Sequence, residues 1–457
     1  MAKSTEQSSY KWIILLITSA SAFTTPFDSS AVNIALPSIS SSFGMDISFT
    51  AWVQTSYLLA MSASLIGAGR LGDLKGRKNI FILGVAIFTL GTVFAGFSNS
   101  GLQILLSRIV QGFGAAMSTN AVAILVDAFP ERERGKALGI NMMVTYAGLT
   151  AGPLFGGILI QSLGWRSVFA LNVPLGALII ILSLKWLKPS SVGVSQTFDL
   201  FGAISFSACL VPFLTSLTLG GTLGWTSIQV IVLMAVAAVS LGLFLWNEAL
   251  LSKYPMLDLS LFMNNRLFTA ANFTALAYYI SSTSTSFMIS YYLQTILKLP
   301  PSQAGSILLV MPLMMALISP LSGWLSDRLG SFLMSALGMA IITLALISFS
   351  SLETNAPTQD VLARLFVAGV GTGIFSSPNS SAVMGSVPRE KLGVASGTLG
   401  TMRFIGQAIS MTLAGAMLGS SMKLTEMFVQ AMHAVFILSA VVAGTGFLIS
   451  IMRGNRR

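Results

Sequence analysis

Apolar runs, each about as long as a bilayer is thick, follow one another along this chain with short polar breaks between them. A helix needs about 20 mostly apolar residues to cross the hydrocarbon core. Fourteen segments reach that length, near 11–36, 49–70, 79–98, 102–127, 136–161, 167–187, 199–219, 228–248, 268–296, 303–325, 332–351, 360–386, 394–421 and 429–452. The pattern therefore predicts an all-α integral membrane protein with 14 transmembrane helices. One polar position stands out against it. Asp28 lies inside the first segment, and an ionisable group at that depth is kept for a pathway, a relay or a partner. Ser21, Thr24, Thr25 and Asp28 recur at three- and four-residue steps, so they share one helical face. Asp28 is expected to look inward, onto something wet.

The segments also repeat. Gly69-Arg-Leu-Gly-Asp73-Leu-Lys-Gly76 answers to Gly323-Trp-Leu-Ser-Asp327-Arg-Leu-Gly330, Arg108 answers to Arg364, and the stretch from Pro130 answers to that from Pro388. The offsets are 254, 256 and 258 residues. Eight helices separate each pair, so equivalent helices run in the same direction, as in two-bundle secondary transporters with a substrate site between the halves. The expected layout is a six-helix bundle over 1–190, two inserted helices with linkers over 191–260, and a second six-helix bundle over 261–457.

Composition agrees with a membrane protein. Of 457 residues 54% are hydrophobic and 9% charged, with a mean hydropathy of +0.81; an ordinary soluble domain has roughly a quarter charged residues. The net charge of +10 would suggest a polyanion ligand, but 19 of the 25 Lys and Arg fall in alternate loops and at the termini. That asymmetry places both termini in the cytoplasm and leaves no nucleic-acid site. The polar start, Met1 to Lys11, leads into a run that is too long for a signal peptide and carries Asp28, so it reads as a retained first helix. One histidine and one cysteine cannot cage a metal, and no cofactor motif appears.

Four stretches resemble known motifs. Gly69 to Lys78, with Asp73 and Arg77, resembles the loop 2–3 motif of the major facilitator superfamily, although Leu74 and Lys75 stand where an Arg usually follows the Asp. Arg108-Ile-Val-Gln-Gly112-Phe-Gly114 resembles its helix 4 motif. Gly148-Leu-Thr-Ala-Gly152-Pro153-Leu-Phe-Gly156-Gly157 is similar to the helix 5 motif of its exporters, and Phe27-Asp28-Ser-Ser-Ala-Val-Asn33-Ile-Ala-Leu-Pro37 to the helix 1 motif of its fourteen-span drug:proton antiporters. The resemblance covers the whole chain. It implies a latch in which Arg77 pairs with Asp127 beside Gly69 and Asp73, and a pliable seam between the bundles along Gly148, Gly152, Pro153, Gly156 and Gly157.

Asp28 has a candidate partner. Counted along their helices, Asp28 and Arg108 each lie about six residues, or roughly 10 Å, below the same surface. A nearby cation favours the ionised carboxylate and desolvation favours the protonated one, so a change in that balance between two states would move a proton. The competing reading is a structural ion pair, or an arginine that snorkels to the surface. No carboxylate is evident beside Arg364 or Arg403. Thr24, Thr25, Asn33, Gln54, Tyr57, Gln111, Tyr278, Ser282, Met311, Asn379 and Arg403 are candidate lining of a cavity between the bundles. Hydroxyls, aromatics and methionines suit an adaptable pocket, although small hydroxyl residues also serve helix packing. His433, near the start of the last helix, is left as a hydrated interfacial residue.

The functional expectation is a proton-coupled exporter of amphipathic, cationic or neutral drugs, working by alternating access as a monomer in the cell membrane. Its partners are protons, a small-molecule substrate and lipid. A single intramembrane carboxylate would favour monovalent or neutral over divalent substrates. The alternative is export of an anionic metabolite or lipid-like molecule with Arg364 and Arg403 as counter-charges. No nucleophile–base pair or phosphate loop supports an enzyme, and a two-bundle repeat suits rocking better than a fixed pore.

Overall fold

The computed structural model describes residues 2–188, 199–251, 259–388, 391–418 and 425–452. Among them every regular element is helical. Lys253, Arg389, Lys423, Arg453, Arg456 and Arg457 of the charge count lie outside the described residues, as does the end of the segment at 394–421.

The first half contains α1 (Ala2–Phe43), α2 (Ile47–Lys75), α3 (Arg77–Gly96), α4 (Gly101–Ser118), α5 (Asn120–Ala128), α6 (Glu131–Leu163) and α7 (Arg166–Trp186). A break at Thr119 divides one span into α4 and α5. Next come α8 (Leu200–Leu223) and α9 (Ile228–Trp246), then the short α10 (Leu259–Asn264). The second half contains α11 (Arg266–Tyr291), α12 (Pro301–Leu308), α13 (Val310–Leu329), α14 (Ser331–Phe349), α15 (Thr358–Gly385), α16 (Leu392–Leu418) and α17 (Thr425–Met452). Here α12 and α13 share one span, broken at Leu309.

Local sequence fixes many of the ends. Asp46, Ser100, Asp199 and Asn265 accept a backbone N–H from the first turns of α2, α4, α8 and α11, satisfying donors that a helix start leaves free. Gly76 and Gly330, paired by the repeat, turn α2 into α3 and α13 into α14 with φ of +93° and +92°. A side chain rarely adopts that backbone, so the repeat extends to the geometry of the turn.

Ten spans among the described residues are long and apolar enough by themselves to cross a membrane, rather than fourteen. The remaining long helices, α1, α2, α11 and α16, are not shorter but richer in Ser, Thr and Gly. They also join the halves, along with α6 and α12: α1 touches α11, and α2 lies along α16. Helix α8 packs on both α2 and α16, and its Ser207 donates to the Ala63 carbonyl of α2 at 3.3 Å. Outer helices carry bare apolar faces, such as Leu90 and Phe94 on α3 and Ile231 and Val239 on α9, the surface that lipid would cover.

A proline organises one of these junctions. Pro37 sits inside α1 and cannot donate to the Asn33 carbonyl four residues earlier. Ser290 of α11 donates there instead, at 3.0 Å. In the π-helical turn that continues α11, Gln294 donates to the Ile34 carbonyl at 3.1 Å and to Ser290 Oγ at 3.0 Å. Close by, a Cβ on Gly157 of α6 would lie 2.5 Å from the Pro301 carbonyl, and one on Gly305 would lie 2.1 Å from the Pro153 carbonyl. The two halves thus touch backbone to backbone at this end, the end remote from Arg77.

Candidate functional site

Asp28 and Arg108 meet. Arg108 Nη1 donates to Asp28 Oδ2 at 2.6 Å, and both side chains are 0% exposed. The guanidinium has three further acceptors: Gln111 Oε1 at 2.7 Å, Gln54 Oε1 at 3.1 Å and the Val53 carbonyl at 3.1 Å. Its face lies 4.3 Å from the Tyr57 ring centroid. The carboxylate is held from the other side by Asn172 Nδ2 at 3.2 Å and Gln111 Nε2 at 3.5 Å. Gln111 also donates to Thr92 Oγ1 at 2.7 Å, and Gln54 to Ser29 Oγ at 2.5 Å. Five helices, α1, α2, α3, α4 and α7, therefore converge on one ion pair.

Such a pair survives in a low-dielectric interior only when its remaining lone pairs and protons are satisfied, and here nearly all are. Asn172 Oδ1 is an exception: it is buried without a partner. The site corrects the expectation that Asp28 faces something wet. In this state the carboxylate is closed off inside the first half, because five helices pack round it.

The sequence singled out Asp28, Arg108, Gln54, Tyr57 and Gln111, and the structure brings all five together. It missed Thr92 and Asn172. An isolated amide within the apolar α7 was the available signal for Asn172; nothing distinguishes Thr92 from other helical threonines.

Near the start of α3, Arg77 bridges two helices. It donates to Asp73 Oδ1 from Nε at 2.9 Å and from Nη2 at 2.8 Å, and to Asp127 Oδ2 from Nη1 at 2.6 Å. A Cβ on Gly72 would fall 1.9 Å from Asn120 Oδ1, whereas one on Gly69 would meet nothing within 4 Å. Close packing therefore requires Gly72 and not Gly69.

The glycines of α6 divide between two faces. Added Cβ atoms on Gly148, Gly152 and Gly156 would strike Phe23, Phe27, Ser30 and Ala31, all on α1 of the same half. Only Pro153 and Gly157, on the other side of the helix, meet α12 of the second half. Of the five motif residues, only Pro153 and Gly157 thus serve the expected seam, and the four-residue strip packs on α1 instead.

The remaining candidate lining residues scatter. Thr24 bonds back to the Ala20 carbonyl at 2.9 Å and is buried. Thr25 is half-buried and comes near the Tyr57 hydroxyl, which still has no completed hydrogen bond. Asn33 has a buried, unpartnered Oδ1. In the second half Ser282, Met311 and Asn379 are buried, and Asn379 donates to the Ala271 carbonyl at 3.1 Å. Tyr278 donates to Thr372 Oγ1 at 3.4 Å and packs on Phe375 at 4.8 Å. Beside it, half-buried Tyr279 stands next to Arg403. Tyr146 of α6, not singled out from the sequence, reaches across the halves to Ser376 Oγ at 3.4 Å.

Arg364 requires a correction. It has a carboxylate beside it, Asp360 at 3.7 Å one turn earlier, and it also donates to the Ser348 carbonyl. His433 Nε2 lies 2.7 Å from the Leu352 carbonyl, a tie to the loop after α14.

Comparison with known proteins fits this architecture. The family model of the major facilitator superfamily matches residues 18–270 and 271–456. The chain belongs to the major facilitator superfamily. It is a multi-pass membrane transporter, not an enzyme. Among curated relatives it is 32% identical to the riboflavin transporter RibZ of Clostridioides difficile, over 92% of this chain and 90% of that one. It is 33% identical to the multidrug resistance protein Stp of Mycobacterium tuberculosis, over 90% of this chain and 77% of that one. Among solved structures, a D-xylose–proton symporter superposes with a TM-score of 0.71 at 13% identity, covering 98% of each chain. At that identity the likeness speaks to the fold alone.

Proposed function

We propose that this protein is a proton-coupled antiporter that exports amphipathic organic compounds by alternating access, within the fourteen-span drug:proton antiporter branch of its superfamily. In this reading the bundles span 1–190 and 261–457, joined by an inserted pair of helices over 191–260. The basic face is cytoplasmic and the junction around Pro37 lies outside. The observation that carries the reading is the fully buried Asp28–Arg108 pair, held by five helices of one half. An ion pair so costly to desolvate suits a switch that opens when Asp28 takes a proton. Once Asp28 is neutral, Arg108 keeps three other acceptors and the helices are free to shift.

Names such as that of Stp support drug export; that of RibZ supports a planar aromatic cargo. Since Asp28 is shielded in this state, it couples rather than cradles, and the preference for cationic cargo loses its counter-charge. The bridge from Arg77 to Asp73 and Asp127 would stabilise one access state.

The test is proton movement in inverted vesicles on adding a panel of dyes and drugs. Substrate-dependent proton release from vesicles energised by a pH gradient is expected. Export that proceeds unchanged after the gradient is collapsed would refute coupling.

A further inference from the structure

Arg108 packs on the Tyr57 ring and Arg403 lies within electrostatic range of it, and the two arginines are treated differently. Arg108, on the side of the first half, has a carboxylate and three further acceptors. Arg403, on α16 of the second half, forms no ion pair among the described residues, and its Nε is buried with no hydrogen-bond partner. Its guanidinium stacks 4.3 Å from the Phe404 ring centroid, lies within hydrogen-bonding reach of Tyr279 and is within electrostatic range of Tyr57. The side chain is half-buried, as are Tyr279, Tyr146 and Ser376, and Tyr146 and Ser376 come from opposite halves.

A guanidinium within a span is expensive to leave uncompensated. Arg108 shows how this chain compensates one when compensation is structural. At Arg403 the compensation is incomplete: Nε has no hydrogen-bond partner, on a helix that packs against both α2 and α11, with the rings of Phe404 and Tyr279 beside the guanidinium. The Asp28–Arg108 pair is neutral as a unit, so the local charge that a molecule would meet at this junction is positive.

We propose that Arg403, with Tyr57 and Tyr279, forms a substrate-recognition subsite for planar aromatic molecules that carry a hydrogen-bond acceptor edge, anionic or neutral, and that it disfavours organic cations. The inference rests on the export reading above for the claim that the ligand is cargo. The chemistry is that of a planar guanidinium fork, which stacks on rings and binds carbonyl or carboxylate oxygens in its plane. Tyrosine rings offer flat, weakly selective contact beside it. A cationic dye would bring a second positive charge against Arg403 with no carboxylate free to offset it.

The experiment is equilibrium binding to purified protein in nanodiscs, read by fluorescence anisotropy or quenching. The probes are fluorescein (an anion), rhodamine 6G (a cation on the same xanthene core) and riboflavin (neutral, with an acceptor edge). Wild type is expected to bind fluorescein and riboflavin at least about tenfold more tightly than rhodamine 6G, the scale of one charge-assisted hydrogen bond. Arg403→Gln removes that advantage and leaves rhodamine 6G binding unchanged or tighter. Arg403→Lys keeps part of the fluorescein binding but loses riboflavin, because a point charge replaces the planar fork.

Tightest wild-type binding of rhodamine 6G would overturn the proposal, as would an equal loss of all three probes in Arg403→Gln. If that variant does not fold, the wild-type ranking of the three probes decides. The readout needs no gradient. Dyes bound in the expected order without proton movement would refute coupling and leave the subsite standing; proton movement with a preference for the cation would do the reverse.

Discussion

Replacing Ser290 with Ala should release the junction at the outer end of the molecule. Pro37 leaves the Asn33 carbonyl without its helical donor, and Ser290 Oγ supplies one across the halves at 3.0 Å. The substitution also takes away an acceptor of Gln294. A buried acceptor left unmatched costs roughly 1–3 kcal/mol. In a state that separates α1 from α11 the same carbonyl faces water and incurs no such cost, so the loss falls on the closed state alone. The closed-to-open ratio should therefore fall roughly 5- to 150-fold. The assay is the labelling rate of a Thr25→Cys reporter in a Cys209→Ser background, with an impermeant maleimide applied from outside. Ser290→Ala is expected to raise that rate several-fold. Ser306→Ala, whose hydroxyl only bonds back within its own helix at 2.9 Å, should leave it unchanged. A Ser290→Ala protein that melts like the parent and labels no faster would refute the claim that this bond holds the outer end shut.

Other outcomes follow from the same packing. Gly148→Ala places a methyl 2.5 Å from the Phe23 carbonyl, a backbone atom that cannot swing aside, and should lower stability by about 1–3 kcal/mol. Gly69→Ala, with open space around it, should not; thermal melts of the two variants compare them directly. Arg77→Gln breaks bridges to Asp73 and Asp127 that are 39% and 59% exposed, so it should cost stability less than about 1 kcal/mol while slowing turnover. A large drop in melting temperature would make Arg77 a structural anchor instead. Asp28→Asn and Arg108→Gln should each destabilise by about 3–5 kcal/mol, and the double variant by clearly less than their sum. Additive losses would mean that the two charges are not coupled.

Much of this was legible from polarity alone. The all-helical membrane class and the Gly76/Gly330 repeat follow from what a bilayer demands of a helix, though only ten of the fourteen expected spans stand as apolar enough by themselves, and Asp28 and Arg108 stood out because charge is scarce there. The glycine strip of α6 was legible as a close contact, but a four-residue period does not say which neighbour fills it; here it is α1. Asp360 went unnoticed beside Arg364 because it sits at a helix start, where acids are common. Asn172 and Tyr146 matter only through helices brought together by the tertiary fold. The Ser290–Asn33 bond is a similar case, since the proline marks the free carbonyl but not the helix that satisfies it.

The central claim is that the Asp28–Arg108 centre links proton movement to substrate movement. The most direct measurement compares two transport modes of Asp28→Asn in proteoliposomes, using whichever dye the wild type carries best. Uptake driven by a pH gradient should fall to background, because the group that binds the proton is gone. Exchange of internal for external dye, which needs no net proton movement, should persist. Gradient-driven uptake that survives at wild-type rate would contradict the account.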